Sequence, residues 1–147
     1  MRDWYETAAD RENEHRIAEY FCKFMGKAKP VKSPLVSGSY HIDYEARADE
    51  ALMFSFEAKR RFVDFGFYRT MFISLNKVKA AYRKWYDTDK PVFWAIEFNN
   101  EVFAYTDLCW GSTTRYAENR RGRTDRNDPL DLETVWHIPL EEFRRWH

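Results

Sequence analysis

The sequence predicts an α/β fold, a mixed central β-sheet flanked by helices, in a single domain over residues 1–147. Three observations carry this. Apolar residues recur at helical spacing in two segments and at strand spacing in five, in the order α-β-β-β-α-β-β plus a tail. Segment 91–98, PVFWAIEF, is apolar almost throughout, as a strand covered on both faces must be. Hydrophobic residues make up 44% of the chain and Gly and Pro number only 5 each, so there is material for one core and little for irregular backbone.

The first helix runs from Asp10 to Met25, where Ile17, Ala18, Tyr20, Phe21, Phe24 and Met25 recur at helical spacing and Gly26 stops it. KAKPVKSPLVSG (27–38) is a basic connection whose prolines forbid helix. Two strands follow at roughly 39–47 and 51–60, then a third, FYRTMFISL (67–75), rich in aromatic and β-branched residues. NKVKAAYRKWYD (76–87) sets Val78, Ala81, Tyr82 and Trp85 on one stripe and Lys77, Lys79, Arg83 and Lys84 off it. That is an amphipathic helix with a basic outer side, its start capped by Ser74 or Asn76. After the buried strand 91–98, NNE turns the chain and VFAYTDL (102–108) returns beside it. The core thus spans about 10–108, and the tail 109–147 holds a long polar loop, a short strand and a helical turn.

Twenty-four basic residues balance 24 acidic ones, which argues against a uniformly basic nucleic-acid binder and leaves room for local patches. Cys22 and Cys109 lie far apart with no CxxC spacing, which reads as reduced thiols of a cytoplasmic protein. The polar start, MRDWYETAADRENEH, has no apolar segment, so no signal peptide is expected, and runs such as VFWAI are too short to cross a membrane. GxxxxGK[ST], GxGxxG and a nucleophile elbow are all absent. His15, Cys22, His41 and Cys109 match no structural zinc spacing.

The chemistry concentrates in YHIDYEARADEALMFSFEAKRR (40–61). Side chains alternate across a strand, so His41, Asp43 and Glu45 share one face and Ile42, Tyr44 and Ala46 the other. On the second strand Phe54, Phe56 and Ala58 are apolar, while Ser55, Glu57 and Lys59 oppose them. A turn centred near Glu50 sets Asp43 opposite Glu57, with Cβ atoms roughly 5 Å apart. Like charges so placed destabilise a sheet, and a divalent cation would offset the repulsion. The pattern also fits an ordinary hairpin with one solvated face, where Lys59 pairs with Asp43 or Glu45 for about 0–1 kcal/mol. The hairpin alone leaves both readings open.

The wider order resembles the PD-(D/E)XK nuclease superfamily, and in particular archaeal Holliday-junction resolvases and small phage nucleases. The matching pieces are ENEHRIAEYF, YHIDYEARA, FSFEAKRR and FISLNKVKAA. The resemblance implies a restriction-endonuclease-like core in which Asp43 and Glu57 hold Mg²⁺ or Mn²⁺, with the carbonyl of Ala58 a further ligand. It implies that Lys59 is the catalytic lysine and that Glu14, in competition with Glu12, is the helix-borne acid. Lys77 matches a position where such folds place a polar residue near the site. His41-Ile42 precedes Asp43, so the proline of the motif is missing, and Ala58 replaces the usual aliphatic residue.

The function implied is metal-dependent cleavage of DNA phosphodiesters. A chain this short has no separate recognition domain, so selection of DNA structure rather than sequence is expected, with a homodimer cutting two strands. The alternative is the same fold with a lapsed site, acting as a binding module for nucleic acid or protein. RYAENRRGRTDR (115–126) carries five arginines against Glu118 and Asp125. Arg115, Arg120, Arg121 and Arg123, with Lys77, are therefore the expected phosphate contacts, set against a loop whose charges pair among themselves.

Overall fold

The computed structural model describes residues 8–33, 40–121 and 132–146. Helix α1 (Ala8–Met25) is followed by β1 (Lys29–Lys32), β2 (Tyr44–Ala48), β3 (Ala51–Arg60) and β4 (Thr70–Ser74). Helix α2 (Leu75–Thr88) leads to β5 (Val92–Glu97), β6 (Phe103–Asp107), β7 (Tyr116–Arg121), β8 (Leu132–Pro139) and β9 (Arg144–Trp146). Six strands form one sheet in the order β1-β2-β3-β5-β6-β9. Among the described residues only β3 and β5 pair in parallel, so the β4–α2 segment is the crossover between them.

Both faces of this sheet are covered. On one, Ile17, Ala18, Phe21 and Cys22 of α1 are sealed against Phe54, Phe56 and Ala58 of β3 and Trp146 of β9. The ring of Phe21 meets those of Phe54 and Phe56 edge-on. Gly26, at φ +152, takes a conformation that other residues avoid and ends the helix, its N–H reaching Cys22 O at 3.1 Å. On the other face, Trp94 and Ile96 of β5 pack with Val78 and Ala81 of α2 and with Met71, Ile73 and Ile138. Cys22 and Cys109 are free and buried, and burial pushes both thiols up to about 12, which leaves them poor metal ligands.

The expected hairpin register is present. Tyr44 pairs with Phe56, Glu45 with Ser55 and Ala46 with Phe54, before a bulge between Ala46 and Arg47. The turn places Asp49 and Glu50 at φ 50 and φ 70, a left-handed pair that suits Asp-Gly better than Asp-Glu. Replacing Glu50 by Gly is therefore expected to stabilise the protein by about 1 kcal/mol, read as a raised urea midpoint. An unchanged or lowered midpoint would mean that the turn carries no strain.

Three features depart from the sequence expectation. β4 does not join the central sheet but pairs with β8 in a second, three-stranded sheet of order β4-β8-β7. The basic connection contributes edge strand β1, where Pro30 is tolerated because an edge strand needs only half its donors. The polar tail loop contributes strand β7.

Candidate active site

The pairing of β2 with β3 starts at Tyr44, opposite Phe56, while β3 continues four residues to Arg60 with a ladder partner only in β5. The N–H groups of Ser55 and Arg61 point to β5, donating to Pro91 O (3.0 Å) and Glu97 O (2.9 Å). Backbone direction alternates along a strand, so the carbonyl of Ala58 faces the opposite side, the gap beyond the end of β2. Asp43 sits at that gap, with its N–H donating to Glu57 Oε1 at 2.9 Å.

Glu57, on the face of β3 that turns toward α2, is only 1% exposed. A surface ribbon would leave it in water, so the solvated-hairpin reading does not survive. α2 begins directly after β4, its first turn capped by Ser74 Oγ, which accepts from Asn76 N–H at 3.2 Å. This puts Lys77 in the first turn, where the helix dipole disfavours a cation. Its ammonium is held there by oxygens, donating to His41 O (2.6 Å), Glu57 Oε1 (2.9 Å) and Asp43 Oδ1 (3.2 Å). Lys59 Nζ donates to Glu14 Oε1 at 2.9 Å, and Glu14 is buried on α1 whereas Glu12 is exposed.

Electrostatics divide the two carboxyls. Burial, then the charge of Asp43, pushes Glu57 up to about 8. Burial also acts to raise Asp43, but Lys77, the hydrogen bond from Glu57 and Lys59 outweigh it and hold Asp43 below its ordinary range. Burial acts to lower both lysines. Glu14 and Glu57 outweigh it for Lys59, Glu57 and Asp43 for Lys77, and both end above the ordinary value.

These residues fit a hard divalent cation. One cation, the Lys77 ammonium, already bridges Asp43 and Glu57. Glu57 Oε2 is buried without a hydrogen-bond partner among the described residues, and the Ala58 carbonyl faces the same gap. No group of three or more His, Cys, Asp or Glu side chains is placed to bind a metal among the described residues. Two carboxylates and a carbonyl leave the remaining positions to water and phosphate, the coordination that Mg²⁺ prefers.

Glu14, Asp43, Glu57, Ala58, Lys59 and Lys77 therefore converge, whereas Arg115 and Arg120 are engaged elsewhere. Arg115 is a correction. Its side chain is 5% exposed, donating to Asp107 O at 2.7 Å and pairing with Glu142 at 3.1 Å, so it clamps the chain after β6 and is closed to phosphate. Arg120 lies on β7, over the Phe72 ring at 4.2 Å and 3.9 Å from Glu118. Arg123 and the side chain of Arg121 lie outside the described residues. Lys84 pairs with Glu45, which neutralises part of the basic side of α2. Sequence reasoning underrated Lys77, which sat off the apolar stripe, although a lysine in a helix's first turn was itself a signal. It also missed His41, whose Nε2 lies 3.7 Å from Asp43 Oδ1.

Residues 1–146 match the profile of a family described as phage putative PDDEXK endonuclease. No curated protein sequence matches the chain. Among solved structures it is similar to Hjc, a Holliday junction resolvase of the archaeal hyperthermophile Archaeoglobus fulgidus, with a TM-score of 0.50 at 14% identity. That similarity covers 67% of this chain and 76% of Hjc, and at such low identity it speaks for a common fold.

Proposed function

The chain belongs to the phage putative PDDEXK endonuclease family, and we propose that it is a single-domain, divalent-metal-dependent endonuclease of DNA that selects structure rather than sequence. The observation that carries this reading is a pair of carboxyls, buried Glu57 and half-buried Asp43, bridged by an ammonium in the gap beyond the end of β2. Asp43, Glu57 and the Ala58 carbonyl would hold Mg²⁺ or Mn²⁺. Such an ion supplies an activated water and charge neutralisation on the phosphate. Lys59, two residues beyond Glu57 on the same face, positions the attacking water and offsets charge developing on the phosphoryl oxygens. Glu14 orients Lys59, and Lys77 binds the phosphate once it is released from the carboxylate pair. A homodimer would put one such site on each of two strands. No helix among the described residues is long and apolar enough to cross a membrane. The free thiols of Cys22 and Cys109 are what supports placing the protein in the reducing cytoplasm.

The test is cleavage of linear and branched DNA with Mg²⁺, Mn²⁺ or EDTA, using Lys59→Met as the control. Cleavage should require the ion, and Lys59→Met should lower kcat by about 10²–10³-fold while leaving metal affinity unchanged. Binding without cleavage under every ion would contradict this reading and identify a binding module with a lapsed site.

A further inference from the structure

The loop between β3 and β4, RFVDFGFYR (61–69), follows directly on Lys59 and Arg60. Phe62 and Phe67 are each 71% exposed and Tyr68 52%, among the most exposed large rings of the described residues. Yet the loop is tied down. Val63 O and Asp64 Oδ1 accept from Asn99 N and Nδ2, both at 3.0 Å, and Arg69 O accepts from Leu140 N at 2.8 Å. Phe65 packs edge-on against Phe98 and anchors the centre of the loop. The three outer rings are therefore presented on a fixed frame. Phe67 and Tyr68 meet edge-on with centroids 4.8 Å apart, so they form one exposed aromatic patch, and such a patch marks a binding site.

The company of these rings identifies the ligand. The Arg60 guanidinium lies 4.4 Å over the Phe62 ring and also donates to the carbonyls of Arg61 and Glu97 and to Asn99 Oδ1, so it braces the ring, while Arg69 at the other end of the loop is exposed. The one acidic residue within the loop, Asp64, is engaged by Asn99. Exposed aromatic faces beside an exposed arginine, Arg69, suit bases and their phosphates. A second copy of this chain fits worse, because a two-fold contact would bring the same arginines face to face. Phe62 follows Lys59 by three residues, two of them beyond the end of β3, so chain reach keeps it within about 11 Å of Lys59, at most about three base steps from the cleavage point. We infer that Phe62, Phe67 and Tyr68 form a wedge that stacks on unpaired or unstacked bases, making the preferred substrate DNA that is branched or distorted beside the scissile phosphate. This rests on the nuclease reading above.

The test compares the full-length chain with its Phe62→Ala/Phe67→Ala variant, on a four-way junction and a linear duplex of equal length, by fluorescence anisotropy in EDTA. A 2-aminopurine at the branch point reports stacking. The wild type should bind the junction more tightly than the duplex. The variant should lose at least about tenfold in junction affinity and the 2-aminopurine response, with duplex affinity and thermal midpoint unchanged. Phe62→Trp should keep the preference. Equal wild-type affinity for the two DNAs, an unaltered variant, or a variant that falls from dimer to monomer in sedimentation would each overturn the wedge. Wild-type protein that cuts no DNA under any divalent ion would sink the nuclease reading instead. Variant cleavage of both DNAs at wild-type efficiency would sink the wedge alone.

Discussion

Replacing Glu57 by Gln is expected to remove DNA cleavage, by about 10³-fold or more in kcat, while making the metal-free protein more stable near pH 8. The two effects have one origin. Glu57 is 1% exposed beside Asp43, so its charge stays costly even with the Lys77 ammonium beside it, and a divalent cation is needed to offset it. The amide keeps the shape but cannot serve as an anionic ligand, and the activity that depends on the ion goes with it. Without metal, the folded protein holds the Glu57 proton up to about pH 8, whereas an unfolded chain releases it near the ordinary value of 4.5. Between those limits the folded state binds more protons than the unfolded one, so stability falls as pH rises, by up to about 1.4 kcal/mol per unit. The Glu57→Gln variant lacks this dependence. Asp43, held below its ordinary value, has the opposite sense: its contribution is lost only as pH falls below the usual carboxylate range. Urea denaturation in EDTA across pH 5–8.5, run beside a cleavage assay, checks both halves. An active variant, or one with the wild-type pH slope, would refute the assignment.

Lys77→Met should be the most destabilising polar substitution in the metal-free protein, on the order of 3–5 kcal/mol, because it strands a buried anion and the His41 carbonyl. Mn²⁺ should stabilise this variant more than the wild type, since the ion no longer competes with the ammonium for the same oxygens. The double variant Glu57→Gln/Lys77→Met should cost less than the sum of the two singles, because the groups are in contact. Denaturation curves with and without Mn²⁺ measure all three quantities. A Lys77→Met protein as stable as the wild type would show that the ammonium does not hold the pair together.

Much of the site could be read from the sequence because it is built on the strictest of local periodicities. One strand's alternation puts Glu57 and Lys59 on a single face, and a two-residue turn brings Asp43 to Glu57. The burial of Glu57 was harder to see, since it depends on β5 and α2, which lie well downstream in the chain. β4 pairs with β8 across a long separation, Thr70 opposite Pro139, and no local signal announces such a partner. β7 carries Glu118, Arg120 and Arg121 on an edge strand, where charge is normal but reads in sequence as loop. Arg115 looked like a phosphate contact because composition cannot distinguish a guanidinium in water from one folded onto carbonyls.

The central claim, that Asp43, Glu57 and the Ala58 carbonyl form a divalent-metal site, is tested most directly by anomalous diffraction from crystals soaked in Mn²⁺. The account predicts one strong anomalous peak within about 2.0–2.4 Å of a carboxylate oxygen of each acid and near the Ala58 carbonyl, with the Lys77 ammonium moved off both carboxylates. Lys77 still bridging Asp43 and Glu57, with manganese elsewhere or nowhere, would contradict it.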